Sequence, residues 1–297
     1  MPKKNFTTNA PAKSTYDVVT EKIVAAMEEG KVAWRMPWSK HKGLPQNLIT
    51  KHQYQGANLL LLFLFADYDN PYFVTMPAIK AHEAWIKKGE KGQVITAMFP
   101  IYSDTDTEKK EPSSFRYKYF YVWNISQLEK TGTLPIPQLE TYQHTETDKY
   151  AVADSLIGAA GFEIRHSEQQ AYYSLADKFI NMPARETFAS LDDYYQVSFH
   201  EIIHAAIDKD YQGETRETGR TAYAYEELVA EIGSAFLAFH AGITPNYDNS
   251  AAYLQSWAKS LKDNPKWFVS AAAQAQKIVN SIVGIAEDVA EMQAEAV

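Results

Sequence analysis

Residues 200–204 read His-Glu-Ile-Ile-His, and no other stretch constrains this chain as tightly. Positions i and i+4 share a face on an α-helix, so the two imidazoles can meet at one metal ion if the segment is helical. Glu201, one residue round from the first histidine, is placed to take a proton from metal-bound water. The plain alternative is a solvated helix face that happens to carry these three residues. A third ligand separates the two, because catalytic zinc is typically held by three protein groups with water in the fourth position. Ser190, with Asp193 three residues on, supplies an N-cap for the helix that would carry the motif.

Candidates for the third ligand lie downstream. Residues 225–240 have helical character, with Leu228, Ile232 and Phe236 on the core side. Glu227 and Glu231 are four apart and share a face, whereas Glu226 points elsewhere and reads as solvated. A helix with E-x-x-x-[DE] after H-E-x-x-H resembles the glutamate zincins. That resemblance implies that one acid binds the metal and the other holds a ligating imidazole from behind. On it, His200, His204 and Glu227 are the ligands, Glu201 is the catalytic base and Glu231 supports a histidine; the exchange of Glu227 and Glu231 stays open. The expected ion is Zn2+, replaceable by Mn2+ or another divalent ion. Residues 172–174 and 178–183 read as a strand leading into a turn, of the kind that borders a zincin cleft and pairs an extended peptide.

Cysteine is absent, which excludes a disulfide frame and Cys-based zinc and accords with a reducing cytoplasm. The longest apolar run, residues 59–66, is too short to span a bilayer. Lys3 and Lys4 are followed by no apolar run of the signal-peptide kind. The expectation is a cytoplasmic protein with no membrane partner. A chain of 297 residues has room for two domains, each with its own core. The net charge of −8 is unevenly spread: residues 1–150 hold 19 basic and 16 acidic side chains, the remainder 10 and 21. Nucleic-acid contact would therefore belong to the first half.

The expected architecture is α+β in two domains. Residues 1–130 form an α+β domain, 131–148 a polar linker marked by Pro135 and Pro137, and 149–297 a mostly helical domain. Residues 1–13 read as a polar disordered start. Helices are expected from Ser14 or Thr15 to Gly30, over 57–68 and over 77–88, with strands over 94–102 and 115–123. In the second domain, helices are expected over 149–160, 250–262 and 266–292, besides the two metal helices.

Strand 115–123 alternates so that Tyr117, Tyr119, Tyr121 and Trp123 share one face, with Arg116 and Lys118 on the other. Trp34, Arg35, Trp38, Lys40 and Lys42 form a second basic and aromatic cluster, and Trp85, Lys87, Lys88 and Lys91 a third. Bases stack on aromatic rings while cations follow the phosphates, so the three clusters point to single-stranded DNA. The competing account is that aromatic strands are core.

These segments resemble a known pair of domains. The first half is similar to the N-terminal domain of ArdC-type plasmid antirestriction proteins, shared with conjugative primases. The likeness is carried by residues 33–38 (Ala-Trp-Arg-Met-Pro-Trp), 54–58, 88–92 and the strand 115–123 with Asn124. The second half is similar to the zincin-like metallopeptidase domain found with it, at 178–183, 200–204, 225–236 and 252–257. Many relatives continue the metal motif as H-E-x-x-H-W-T-G, whereas Ala205, Ala206 and Ile207 follow His204 here. The resemblance implies single-stranded DNA binding, protection of incoming DNA from restriction during conjugation, and a zinc peptidase-like site with a host protein as candidate substrate. A metallopeptidase whose first domain recruits protein is the alternative.

Overall fold

The computed structural model describes residues 13–31, 44–65, 68, 70–102, 112–138, 146–210, 219–244 and 251–284. The chain begins with α1 (Thr15–Glu28), β1 (Gln46–Asn47), α2 (Gly56–Phe65), β2 (Tyr72–Thr75), α3 (Met76–Ala81) and β3 (Trp85–Ile86). β4 (Gln93–Ile101), β5 (Ser114–Asn124) and β6 (Leu128–Lys130) complete the first half. The second half holds α4 (Glu146–Ala160), β7 (Ile164–Arg165), β8 (Tyr172–Ser174), β9 (Phe179–Asn181) and α5 (Leu191–Asp210). It closes with α6 (Arg220–Ala241), α7 (Ala251–Asp263) and α8 (Trp267–Val283). The α+β class expected from the sequence is the class observed.

Local signals account for most boundaries. Ser14 caps α1 in a reciprocal capping box with Asp17, and Gly30 leaves it at a φ of 83°. Ser190 accepts from the Asp193 backbone N–H at 3.1 Å and so caps α5. Gly242, in the left-handed region, ends α6 while the Ile243 N–H reaches back to the Ala238 carbonyl at 2.9 Å, the usual way a helix satisfies its last carbonyls.

The largest sheet has the order β1-β2-β5-β4, with β1 parallel to β2 and the other pairs antiparallel. β4 is an edge, and α2 covers it: the Asn58 amide donates to the Thr96 carbonyl at 2.8 Å and accepts from the Thr96 N–H at 2.7 Å. Covering an edge in this way removes its capacity to pair with another chain. A small sheet pairs β3 with β6, and a third has the order β7-β9-β8.

Two expectations change. The helix expected over 77–88 stops at Ala81. Glu83 turns the chain at a φ of 53°, and Trp85 and Ile86 then pair with β6. Ala84 joins a small core with Ile79, Leu128 and Leu134, so tertiary pairing overrides helical periodicity here. Leu134, in the expected linker, is therefore buried. The second change concerns the cores. Val19, Ile23 and Met27 of α1, and Leu59, Leu60 and Leu61 of α2, belong to the same buried cluster as α4 to α8. Thr20 donates to the Pro265 carbonyl at 2.7 Å, and the Gly56 N–H to Gln276 at 2.9 Å. The two halves thus share this core, while smaller clusters around Val74 and around Ile95 belong to the first half alone. Apolar rows on α1 and α2 signal burial, but not which partner provides it.

Candidate metal centre

α5 and α6 build the site. Their close approach depends on Gly233, where an added Cβ would lie 2.8 Å from Cδ1 of Ile203. Ile202 and Ile203 are buried between the two histidines of α5, which turns the polar edge of the motif toward α6.

His200 Nε2 lies 3.1 Å from His204 Nε2. Glu227 faces both, with Oε2 3.5 Å from His200 Nε2 and Oε1 3.5 Å from His204 Nε2. The three residues can each offer a ligand atom within 4.8 Å of the others. Two ligand atoms about 2.1 Å from a tetrahedral ion stand about 3.4 Å apart. The observed separations bracket that value, and two imidazoles with a carboxylate are a zinc or manganese donor set. The residues fit a divalent ion.

One group behind the candidate ligands differs from expectation. Glu226, expected on a solvated face, places Oε1 2.8 Å from Nδ1 of His204 and is mostly buried. It holds the imidazole so that Nε2 faces the centre. Glu231 stands one turn beyond Glu227, and its charge acts on His200. The pKa of Tyr223, not among the residues singled out from the sequence, is pushed up to about 12, chiefly by its interaction with the Glu227 carboxylate and then by burial. Its position one turn before Glu227 on the same helix face was the available signal.

Electrostatics follow from this crowding. Burial pushes the His200 pKa down, but the hydrogen bond to Glu227 and the charges of Glu231 and Glu201 outweigh it, so the net direction is up. Burial would raise Glu227, yet hydrogen bonds from His200 and Tyr223 hold it at about 2. Burial raises Glu201 above the ordinary carboxylate range, opposed by the two histidines and by a hydrogen bond from the Tyr173 backbone. A carboxyl raised toward neutrality is suited to general-base work. Tyr173 belongs to β8, the outer strand of its sheet. Its hydroxyl donates to Asp208 at 2.8 Å, tying that strand to α5.

The nucleic-acid candidates fall into three groups. Trp34, Arg35, Trp38 and Lys40, with Lys42, lie outside the described residues. Trp85 is 66% exposed; Lys88, Lys91, Arg116 and Lys118 are also exposed, and Lys87 donates to the Ser126 carbonyl at 2.8 Å. Tyr117 is committed to packing: it stacks on Tyr16 at 4.7 Å and donates to Thr96 at 2.7 Å. Its neighbours Tyr119 and Tyr121 are 40% and 48% exposed and meet edge to face at 6.0 Å. On the other face Phe120 and Val122 pack into the core with Tyr54, Leu62 and Phe73.

Family models match the N-terminal domain of the anti-restriction factor ArdC on residues 13–123 and a zincin-like metallopeptidase on residues 151–274. The Mn(II)-bound crystal structure of the antirestriction ArdC protein from plasmid R388 superposes with a TM-score of 0.73 at 33% identity, covering 93% of this chain and 99% of that one. This chain belongs to the ArdC antirestriction family. The metal-free structure of the R388 protein matches with a TM-score of 0.72 at 32% identity, covering 95% of this chain and all of that one. Among curated relatives, an uncharacterized protein of Sinorhizobium fredii is 29% identical over 89% of this chain and 90% of its own length. The DNA primase TraC of Escherichia coli is 28% identical over 91% of this chain, which spans 27% of the primase. In this ArdC-family chain the two matched domains meet through α1 on α7 and α2 on α8. Among the described residues no helix is long and apolar enough to cross a membrane.

Proposed function

We propose that this protein binds single-stranded DNA and protects incoming DNA from host restriction during conjugation, and that its second half holds one divalent ion at His200, His204 and Glu227. The observation that carries the reading is the likeness to the R388 antirestriction protein over nearly the full length of both chains. The exposed rings of Tyr119, Tyr121 and Trp85, with Lys88 and Lys91 on the same half, offer stacking surfaces and phosphate contacts. The acidic second half repels phosphate, so the DNA sits on the first.

At the centre, a bound divalent ion supplies an acidified water and a polarised carbonyl. The chain's own residues supply the rest. Glu201, held by the Tyr173 backbone, accepts the proton. Glu226 keeps His204 oriented, and β8, whose Tyr173 backbone bonds Glu201, borders the centre where an extended peptide would lie. A cytoplasmic host protein is the candidate substrate, with Zn2+ the expected ion and Mn2+ a replacement.

The test uses the whole chain. Mobility shifts should favour single-stranded over double-stranded DNA and weaken with salt. Replacing Tyr119 and Tyr121 together by Ala should weaken binding by about 1–3 kcal/mol per stacked base, with metal content unchanged. Equal affinity of the double variant and the wild type would remove the stacking surface from the account. A restriction-protection assay with Glu201→Ala then separates shielding, which keeps protection, from proteolysis, which loses it.

A further inference from the structure

Gln127 is 1% exposed and ends the single 3-10 turn, Ile125–Gln127, that follows β5. A buried amide is costly unless its donor and acceptor groups are matched. Its Oε1 accepts from the Asn124 N–H at 2.8 Å, closing the cap of that turn. Its Nε2 donates to the Glu90 carboxylate at 2.8 Å and to the Lys91 carbonyl at 2.9 Å. Both acceptors lie on the segment between β3 and β4, far away in sequence.

That segment, Lys87 to Gly92, is a tight turn fastened along its length. The Glu90 N–H closes it on the Lys87 carbonyl at 3.2 Å, with Gly89 at a φ of 93°, a conformation that glycine alone adopts easily. The Lys87 N–H and Nζ donate to the Gln127 and Ser126 carbonyls at 2.9 and 2.8 Å. At the far end, a Cβ added to Gly92 would lie 2.8 Å from the Trp123 ring and 2.9 Å from Cβ of Tyr121. Fixing this turn fixes charge, because Lys88 and Lys91 are exposed on it. Lys91 adjoins Gly92, whose backbone rests against Tyr121, a ring 48% exposed. Glu90, the acid between the two lysines, is the one that Gln127 draws to itself. A loose turn would have to order both cations on meeting a strand, at a cost in entropy; a fastened one presents them already placed.

We propose that Gln127 is a positioning residue for single-strand binding, fastening the Lys87–Gly92 turn so that Lys88 and Lys91 meet the phosphates of a strand stacked on Tyr121. This rests on the reading of the first half as the single-stranded DNA surface. Gln127 is buried and touches no nucleic acid; it acts through the turn. Lys87, held on the Ser126 carbonyl, belongs to the fastening, and the phosphate contacts fall to Lys88 and Lys91.

The experiment uses the full chain and a labelled oligothymidylate, with binding followed by anisotropy across a range of salt. Gln127→Glu keeps the acceptor for Asn124 but has no N–H for Glu90 and the Lys91 carbonyl. Gly92→Ala displaces the same turn without adding charge. Each phosphate contact on a single strand contributes about 0.7 to the slope of log affinity against log salt, so replacing Lys88 and Lys91 by Ala should lower that slope by about 1.4. The same loss should appear in Gln127→Glu and in Gly92→Ala, and adding the lysine replacements to either should lower it no further. Trypsin should also cut after Lys88 and Lys91 faster in both variants, with no DNA present. A lysine effect as large in Gln127→Glu as in the wild type overturns the proposal, since a merely structural role leaves that effect intact. Wild-type cleavage in Gln127→Glu, or an unchanged slope when both lysines are replaced, overturns it equally. A wild type with no affinity for the single strand overturns the DNA reading beneath it and this proposal together.

Discussion

Oε1 of Glu226 lies 2.8 Å from Nδ1 of His204, which fixes the imidazole edge that faces the centre. A ligating histidine held this way loses little freedom on binding an ion, and removal of such a partner typically costs 10–100-fold in affinity. Glu226→Gln keeps an acceptor and should weaken Mn2+ binding by about 10-fold; Glu226→Ala should approach 100-fold. Titration of metal-free protein measures both. Wild-type affinity in Glu226→Ala would mean that the contact is incidental.

Glu201→Gln should behave differently. Glu201 is buried beside the histidines but is no ligand in this arrangement, so metal content should stay at one ion per chain. Any hydrolysis of a casein-type peptide substrate should be lost, since the amide cannot take the proton. Loss of metal from Glu201→Gln, measured by elemental analysis, would contradict the role given to it.

The centre also sets a pH dependence whose sign can be worked out. His200 is raised above its ordinary value, so in metal-free protein its contribution to stability is complete below about pH 6.5 and fades as pH rises through the raised value. Glu227 is lowered from 4.5 to about 2; its contribution is complete above the unfolded value and disappears as pH falls through about 2. An ion has the opposite demand on the histidines, because it needs neutral imidazoles. The gain in melting temperature on adding Mn2+ should therefore be near zero at pH 5 and grow toward pH 8. With the ion at about 100 times its dissociation constant there, the gain is about 2.7 kcal/mol, or about 4 °C for a chain of this size. A gain that is constant across this range would contradict metal binding at the two histidines.

The shared core predicts the behaviour of fragments. A chain ending at residue 130 would expose Val19, Ile23, Leu60 and Leu61, all fully buried in the whole protein. It should aggregate or bind a hydrophobic dye, and show no cooperative melt. A monomeric fragment with a sharp thermal transition would show instead that α1 and α2 do not depend on α7 and α8.

The parts legible in the sequence are those set by near neighbours. The caps at Ser14 and Ser190 and the burial of α2 each follow from a few adjacent residues, and the structure has them where the residues put them. The pairing of His200 with His204 follows from helix geometry alone. Contacts between distant segments were not legible. Glu226 looked solvated because its partner is 22 residues away on another helix. Trp85 read as helical because β6, which pairs with it, lies far along the chain. Alternation placed Tyr117 with Tyr119 and Tyr121, yet only Tyr117 meets a ring from α1.

Anomalous diffraction from crystals of the Mn2+-loaded protein tests the central claim most directly. The assignment gives one peak per chain, about 2.0–2.2 Å from Nε2 of His200, Nε2 of His204 and a carboxylate oxygen of Glu227, with Glu226 still on Nδ1 of His204. A peak coordinated by Glu231 in place of Glu227, or no peak between the two histidines at saturating Mn2+, would contradict it.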